Sequence, residues 1–197
     1  MIDTSQAHEI WPVPARFSKV LPRQWASPRG GRDYPEEWAV VKTWLRFFPR
    51  YLRDAIDPAE MGKGLLLIGE AGVGKTMLAS SVLNFLRGHG HSVAFARDGD
   101  LHSLLTRTYL DTEDEERLLL LRRSACVVVD DMLRGGGRSE ELEPFLRYRQ
   151  DEGKPTVITM NDQVTLSPVL ASFLHEYTRV SFKGEDVRKV GSPGARW

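Results

Sequence analysis

Gly64-Leu65-Leu66-Leu67-Ile68-Gly69-Glu70-Ala71-Gly72-Val73-Gly74-Lys75-Thr76 is the stretch that decides the fold of this chain. Its front half is a short, continuously apolar run bounded by glycine, the pattern of one buried strand. Its back half, Gly69 to Thr76, fits G-x-x-x-x-G-K-[ST]. A helical pattern then opens near Lys75 and runs to about residue 88. Strand, glycine-rich turn and helix are what phosphate binding requires. Small residues let successive backbone N–H groups turn inward at the positive end of a helix. Gly69, Glu70, Ala71, Gly72, Val73 and Gly74 supply the cradle. Lys75 brings a point charge to the β- and γ-phosphates, and the Thr76 hydroxyl is offered to Mg²⁺.

Further along the chain the same kind of run recurs at Ser92–Ala96, Cys126–Val129, Thr156–Thr159 and Arg179–Phe182. These runs are nearly continuous rather than alternating, as strands covered on both faces should be. Helical patterns lie between them, near 75–88, 99–109, 113–123, 139–152 and 166–176. Five βα repeats predict a doubly wound α/β sheet. Asp111–Glu116 holds five acids in six residues, a solvated helix start that Asp111 or Thr112 can cap.

Two more strand ends complete a candidate site. Cys126-Val127-Val128-Val129-Asp130-Asp131 is a buried strand finishing in two carboxylates. Asp130 suits orientation of a metal ion, and Asp131 suits polarisation of an attacking water. Thr159-Met160-Asn161 ends the fourth strand, where the Asn161 amide can sense a terminal phosphate; a simple turn at Asn161-Asp162 is the alternative.

Composition narrows the classes. The chain has 197 residues and balances 27 Lys+Arg against 27 Asp+Glu, which removes a global positive field as a route to nucleic acid. Arginine outnumbers lysine 20 to 7. Any DNA contact must come from a local patch, and Arg134-Gly135-Gly136-Gly137-Arg138 is the candidate loop. Cys126 alone permits neither an internal disulfide nor a cysteine zinc site, and with no apolar run near the roughly 18 residues of a membrane span, a cytoplasmic protein is expected. His89 and His91 flank Gly90 and read as a turn rather than as metal ligands.

The front of the chain is rich in Pro, Arg and Trp, with Trp11, Trp25, Trp38 and Trp44 all before residue 45. Its prolines forbid a long helix before about Pro35. From there Trp38, Val41, Leu45, Phe48 and Leu52 recur at helical spacing, predicting a leading helix that packs an aromatic face on the domain beyond it. The organisation expected is an extension with a leading helix over 1–60, an ATP-binding domain over 61–190 and a flexible tail over 191–197.

Taken together, these segments resemble the AAA+ ATPases of the DnaC-type helicase loaders and IstB-type transposition helpers. The resemblance runs from Val13-Pro14-Ala15-Arg16-Phe17 to about Lys189. It includes the phosphate loop, the double-Asp strand end and Arg149 followed by Gly153–Thr159 leading to Asn161. Its last segment is Val180-Ser181-Phe182-Lys183-Gly184-Glu185-Asp186-Val187-Arg188.

The resemblance implies a P-loop NTPase of AAA+ type: a three-layer sandwich with a five-stranded parallel sheet and no full C-terminal lid domain. It also implies ATP with Mg²⁺ as cofactors, Arg188 acting on the γ-phosphate, and a replicative helicase or transposase as protein partner. Single-stranded DNA and self-assembly are further implied possibilities. Two departures stand out. Phe173 occupies the place where relatives carry a finger arginine, with Arg179, Arg147 or Arg149 as substitutes. Only about a dozen residues precede the family-like Val13–Phe17, so a separate partner-binding domain is not seen at the front.

Overall fold

Each of the five apolar runs forms a strand: β1 (Leu65–Gly69), β2 (Val93–Arg97), β3 (Cys126–Asp130), β4 (Thr156–Met160) and β5 (Thr178–Phe182). The computed structural model describes residues 3–21, 35–52, 62–133 and 141–183. The strands pair in the order β2-β3-β4-β1-β5, all parallel. Helices join them: α3 (Lys75–Gly88), α4 (Asp98–Leu105), α5 (Thr112–Arg123), α6 (Leu142–Asp151) and α7 (Pro168–Leu174). Ahead of the sheet lie α1 (Ala7–Ile10) and α2 (Pro35–Tyr51).

Strand side chains alternate between faces, and the core divides accordingly. Leu65, Leu67, Phe95, Val128 and Val157 face α2 and α3, while Leu66, Ile68, Ala96, Val129 and Ile158 face α4 to α7. The result is the expected three-layer sandwich. Among the described residues no helix follows β5.

The front of the chain shares this core. Trp11 is buried, donates its indole N–H to the Arg117 carbonyl at 3.1 Å and lies under the Arg117 guanidinium. Its own carbonyl accepts the Phe95 N–H at 3.0 Å, so the segment crosses the outer edge of β2. Val13 then packs on the opposite face, and Asn84 on α3 donates to the carbonyls of Phe17 and Val20.

Two local expectations shift. On α2 the buried residues are Val41, Trp44, Leu45, Phe48 and Tyr51, so the expected Val41, Leu45 and Phe48 face the core; Trp38 is half-buried against it and Leu52 is exposed. The stripe therefore holds along most of the helix, with Trp44 and Tyr51 joining it and Leu52 left outside. At α4 the helix stops at Leu105 instead of about 109. Thr106 turns its hydroxyl back to the His102 carbonyl at 2.9 Å, and two β-branched threonines in three residues weaken continuation. Asp111 caps α5 as anticipated, accepting the Asp114 N–H at 2.8 Å.

Candidate functional site

Strand order creates the site. The chain leaves β1 on one side and returns to β2 beyond β4 and β3, so the carboxyl ends of β3, β4 and β1 lie side by side. Ligands of open α/β sheets bind at this kind of reversal. The three ends carry Asp130-Asp131, Asn161 and the 69–76 loop respectively.

The loop's glycines are required by its path. Gly72 has φ 86° and Gly74 φ 97°, left-handed values that cost other residues about 1–2 kcal/mol. A Cβ on Gly69 would sit 2.8 Å from both Cβ and O of Phe182 on β5. Val73 is buried against the α2/α3 side of the core and anchors the loop from below.

Lys75 is buried at 6% exposure, unusual for a lysine, and is held by oxygens. Its Nζ donates to the Gly69 carbonyl at 2.7 Å, the Glu70 carbonyl at 2.6 Å and Asn161 Oδ1 at 3.2 Å. The last bond joins the phosphate loop to the end of β4. Asn161 thus meets the lysine directly rather than only starting a turn.

Asp130 lies beneath. Its Oδ1 accepts the Thr159 hydroxyl at 2.8 Å, and the Thr76 side chain lies near enough to favour the charged carboxylate. Burial pushes the Asp130 carboxyl above its ordinary range, Thr159 and Thr76 pull it back, and nearby Asp131 raises it further. A hydroxyl beside a buried carboxylate is the hard oxygen pair that suits Mg²⁺, which keeps most of its waters. The donor set therefore fits this ion.

After β3 the backbone turns sharply. Asp131 (φ 61°) and Leu133 (φ 60°) are both left-handed; aspartate tolerates this, whereas leucine does so only at a cost of about 1–2 kcal/mol. The Asp131 N–H is taken by Thr159 Oγ1 at 2.8 Å, the Met132 N–H by the Thr159 carbonyl at 2.8 Å, and the Leu133 N–H by Asp98 Oδ2 at 3.1 Å. Asp98, at the start of α4, is itself buried, and desolvation raises its carboxyl above the usual range.

Motif spacing alone does not single out Thr159 or Asp98. Thr159 sits inside an apolar run, and its position two residues before Asn161 is the one signal the sequence offers. Tyr109 carries no motif either; at 91% exposure, between α4 and α5, it is by far the most exposed large apolar side chain among the described residues.

The finger substitutes separate clearly. Arg149 is wholly buried and cannot reach a neighbouring molecule. Its guanidinium donates to the carbonyls of Leu121, Arg122, Ser124 and Pro155 and to the Thr156 hydroxyl. It ties the C-terminal end of α5 to α6 and β4, and burial lowers its pKa to about 10. Arg147 is exposed, paired with Glu143 and stacked over the Phe173 ring. Arg179 is exposed on β5, with Nε donating to Ser181 Oγ. Phe173 itself points inward, 3% exposed and packed on Tyr177, so the position serves the core. Arg188, the loop at 134–138 and the tail at 191–197 lie outside the described residues.

Cys126 is fully buried, with its thiol pushed up to about 12 by desolvation. The His89 ring lies against Phe85, and His91 meets Phe48 edge-on. No helix among the described residues is long and apolar enough to cross a membrane.

No protein-family profile matches the chain, and no curated protein matches it in sequence. Solved structures do match. DnaI superposes with a TM-score of 0.61 at 21% identity, over 88% of this chain and 93% of that one. The DnaC helicase loader gives 0.60 at 22%, over 86% and 100%. DnaA bound to AMPPCP and single-stranded DNA gives 0.65 at 15%, over 88% and 52%. The chain thus spans about half the length of the nucleotide-bound DnaA structures it matches. At these identities the likeness concerns architecture, and the chain shares the α/β fold, with its five-stranded parallel sheet, of the DnaC helicase loader and DnaI.

Proposed function

We propose that the chain is an ATP-binding AAA+ ATPase that acts as a helicase-loader-like assembly factor in DNA replication. The observation that carries the nucleotide reading is the bond from Lys75 to Asn161 above the Asp130–Thr76 pair. Residues 69–74 would cradle the phosphates, and Lys75 and Asn161 would read the γ-phosphate. Thr76 and Asp130 would hold Mg²⁺, which supplies charge neutralisation at the phosphoryl oxygens. Asp131 would polarise the attacking water. Arg188 is a further candidate for the γ-phosphate.

The partner reading, a replicative helicase, rests on the fold shared with DnaC; a transposase partner, as for IstB-type helpers, is the alternative. Tyr109 supports a contact with single-stranded DNA, because an exposed aromatic offers a stacking face to any base. One observation favours weak hydrolysis by the lone chain. Arg149 is committed to internal carbonyls and Phe173 to the core, so neither supplies a finger. A nucleotide-switched interaction module with little turnover is therefore the second reading.

The test is binding of ATP by the purified protein at concentrations up to about a millimolar, the upper end of usual KM values. Binding lost in Lys75→Ala supports the reading; absence of binding, or binding indifferent to that change, overturns it. Turnover stimulated by DNA or a helicase and abolished by Asp131→Asn would reject the passive module.

A further inference from the structure

The turn after β3 is held from outside at every amide. A threonine hydroxyl has one proton to give and lone pairs to receive. In Thr159 the proton goes to Asp130 Oδ1 and a lone pair takes the Asp131 N–H, both at 2.8 Å. With 1% exposure, Thr159 has no exchange with bulk water to loosen that arrangement. The carbonyl of the same residue takes the next amide, Met132, and Asp98 takes the one after, Leu133. Left-handed backbone at a leucine persists only where its surroundings impose it. Here Thr159 and Asp98 are those surroundings.

We propose that Thr159 is a positioning residue for ATP hydrolysis, its hydroxyl setting the Asp130 carboxylate and the Asp131 backbone relative to one another. This rests on the reading of the site as an ATPase. The two acids lie next to each other at the end of β3, yet their arrangement is dictated by β4. That strand also leads to Asn161, two residues on, which Lys75 contacts. A shift of Asn161 towards or away from a γ-phosphate is therefore transmitted through one residue, Met160, to the group that aims the water-polarising acid. Met160 is itself registered against Ile68, immediately before the phosphate loop. Asp98 is the second hand of the same clamp, acting through Leu133.

The experiment compares Thr159→Val, which keeps shape and loses the hydroxyl, with Thr159→Ser, which keeps the hydroxyl. Three readouts are taken. Binding of a fluorescent ATP analogue in EDTA should be unchanged in both variants, since the loop and Lys75 are untouched. In Thr159→Val, kcat should fall roughly tenfold to a hundredfold with little change in KM, the scale of a small misplacement of catalytic groups. Thr159→Ser should restore kcat to within about threefold. Amide exchange over residues 131–133 in nucleotide-free protein should accelerate in Thr159→Val and not in Thr159→Ser.

Unchanged kcat, or unchanged amide exchange, in Thr159→Val overturns the proposal. A fall in kcat matched by an equal rise in KM, or not rescued by serine, reduces Thr159 to a packing role and overturns it as well. Should the valine variant fail to fold, Asp98→Ala, which frees the Leu133 amide, must give the same kcat-selective loss or the clamp is refuted. Failure of the underlying reading looks different: the wild type itself would neither bind nor turn over ATP, while the amide-exchange comparison would still report on the clamp.

Discussion

Replacing Arg149 with methionine is the sharpest perturbation the fold offers. The side chain is fully buried and its guanidinium makes five hydrogen bonds, four of them to backbone carbonyls. No carboxylate is among those partners, so the charge is stabilised by dipoles alone. Three of the carbonyls, Leu121, Arg122 and Ser124, belong to the C-terminal end of α5, where helix carbonyls have no internal partner. Methionine fills much of the volume but donates nothing. Hydrogen bonds to a charged group contribute about 1.5–3 kcal/mol each, against a desolvation cost of several kcal/mol for the buried ion. Removing the donor while leaving its buried acceptors in place is therefore expected to cost about 3–5 kcal/mol. For a chain of this size that is a fall in Tm of about 6–20 °C. Urea and thermal denaturation of the two proteins measure it. A loss below about 1 kcal/mol would refute the reasoning, because surface arginines behave that way. A trans-acting finger makes the opposite prediction, normal stability with loss of turnover that mixing with wild-type subunits restores.

Other parts of the molecule are open to equally direct tests. Trp11→Ala removes a buried indole, its bond to the Arg117 carbonyl and its stacking under the guanidinium, and should cost about 3–5 kcal/mol by denaturant melt. Asp98→Asn keeps an acceptor for the Leu133 N–H while removing a buried charge. Because desolvation raises the Asp98 pKa above 3.8, the native protein binds the proton more tightly than the unfolded chain, so the charged form is a stability cost above that titration. The asparagine protein should be more stable at neutral pH, and the gain should vanish as pH falls below about 4, the ordinary aspartate range. Stability measured from about pH 8 down to about pH 3 tests the sign. Tyr109→Ala should weaken single-stranded DNA binding by the equivalent of about 1–3 kcal/mol while leaving ATP binding intact; equal affinity in a titration removes Tyr109 from the interface.

Local chemistry and long-range convergence are not equally legible in a sequence. The 69–76 loop can be read because every requirement is local: left-handed glycines, a lysine and a hydroxyl at fixed offsets. The strands can be read because burial on both faces leaves continuous apolar runs. Asp130, Asp131 and Asn161 are legible as strand ends, and the strand order then places those ends beside β1. The role of Arg149 is not legible, since its partners come from α5, the α6–β4 turn and β4, far apart along the chain. Thr159 is hidden for a related reason. A β-branched residue in an apolar run looks like strand propensity, and only the three-dimensional placement of Asp130 and Asp131 turns its hydroxyl into a bridge. On α2 the spacing finds Val41, Leu45 and Phe48 but misses the buried Trp44 and Tyr51, because apolar side chains flank the stripe and leave its width undecided by composition.

The crossing of Trp11 over β2 has a consequence for how the molecule behaves in a crowd. A parallel sheet ends in outer strands whose amides can recruit a strand from another molecule. At β2 the Phe95 N–H is already satisfied by the chain's own Trp11 carbonyl, with the indole locked beneath Arg117. An incoming strand would have to peel away a buried tryptophan before forming its first ladder bond there. The front of the chain thus acts as a stopper against sheet-to-sheet polymerisation, and loss of Trp11 should appear as concentration-dependent aggregation as well as lowered stability.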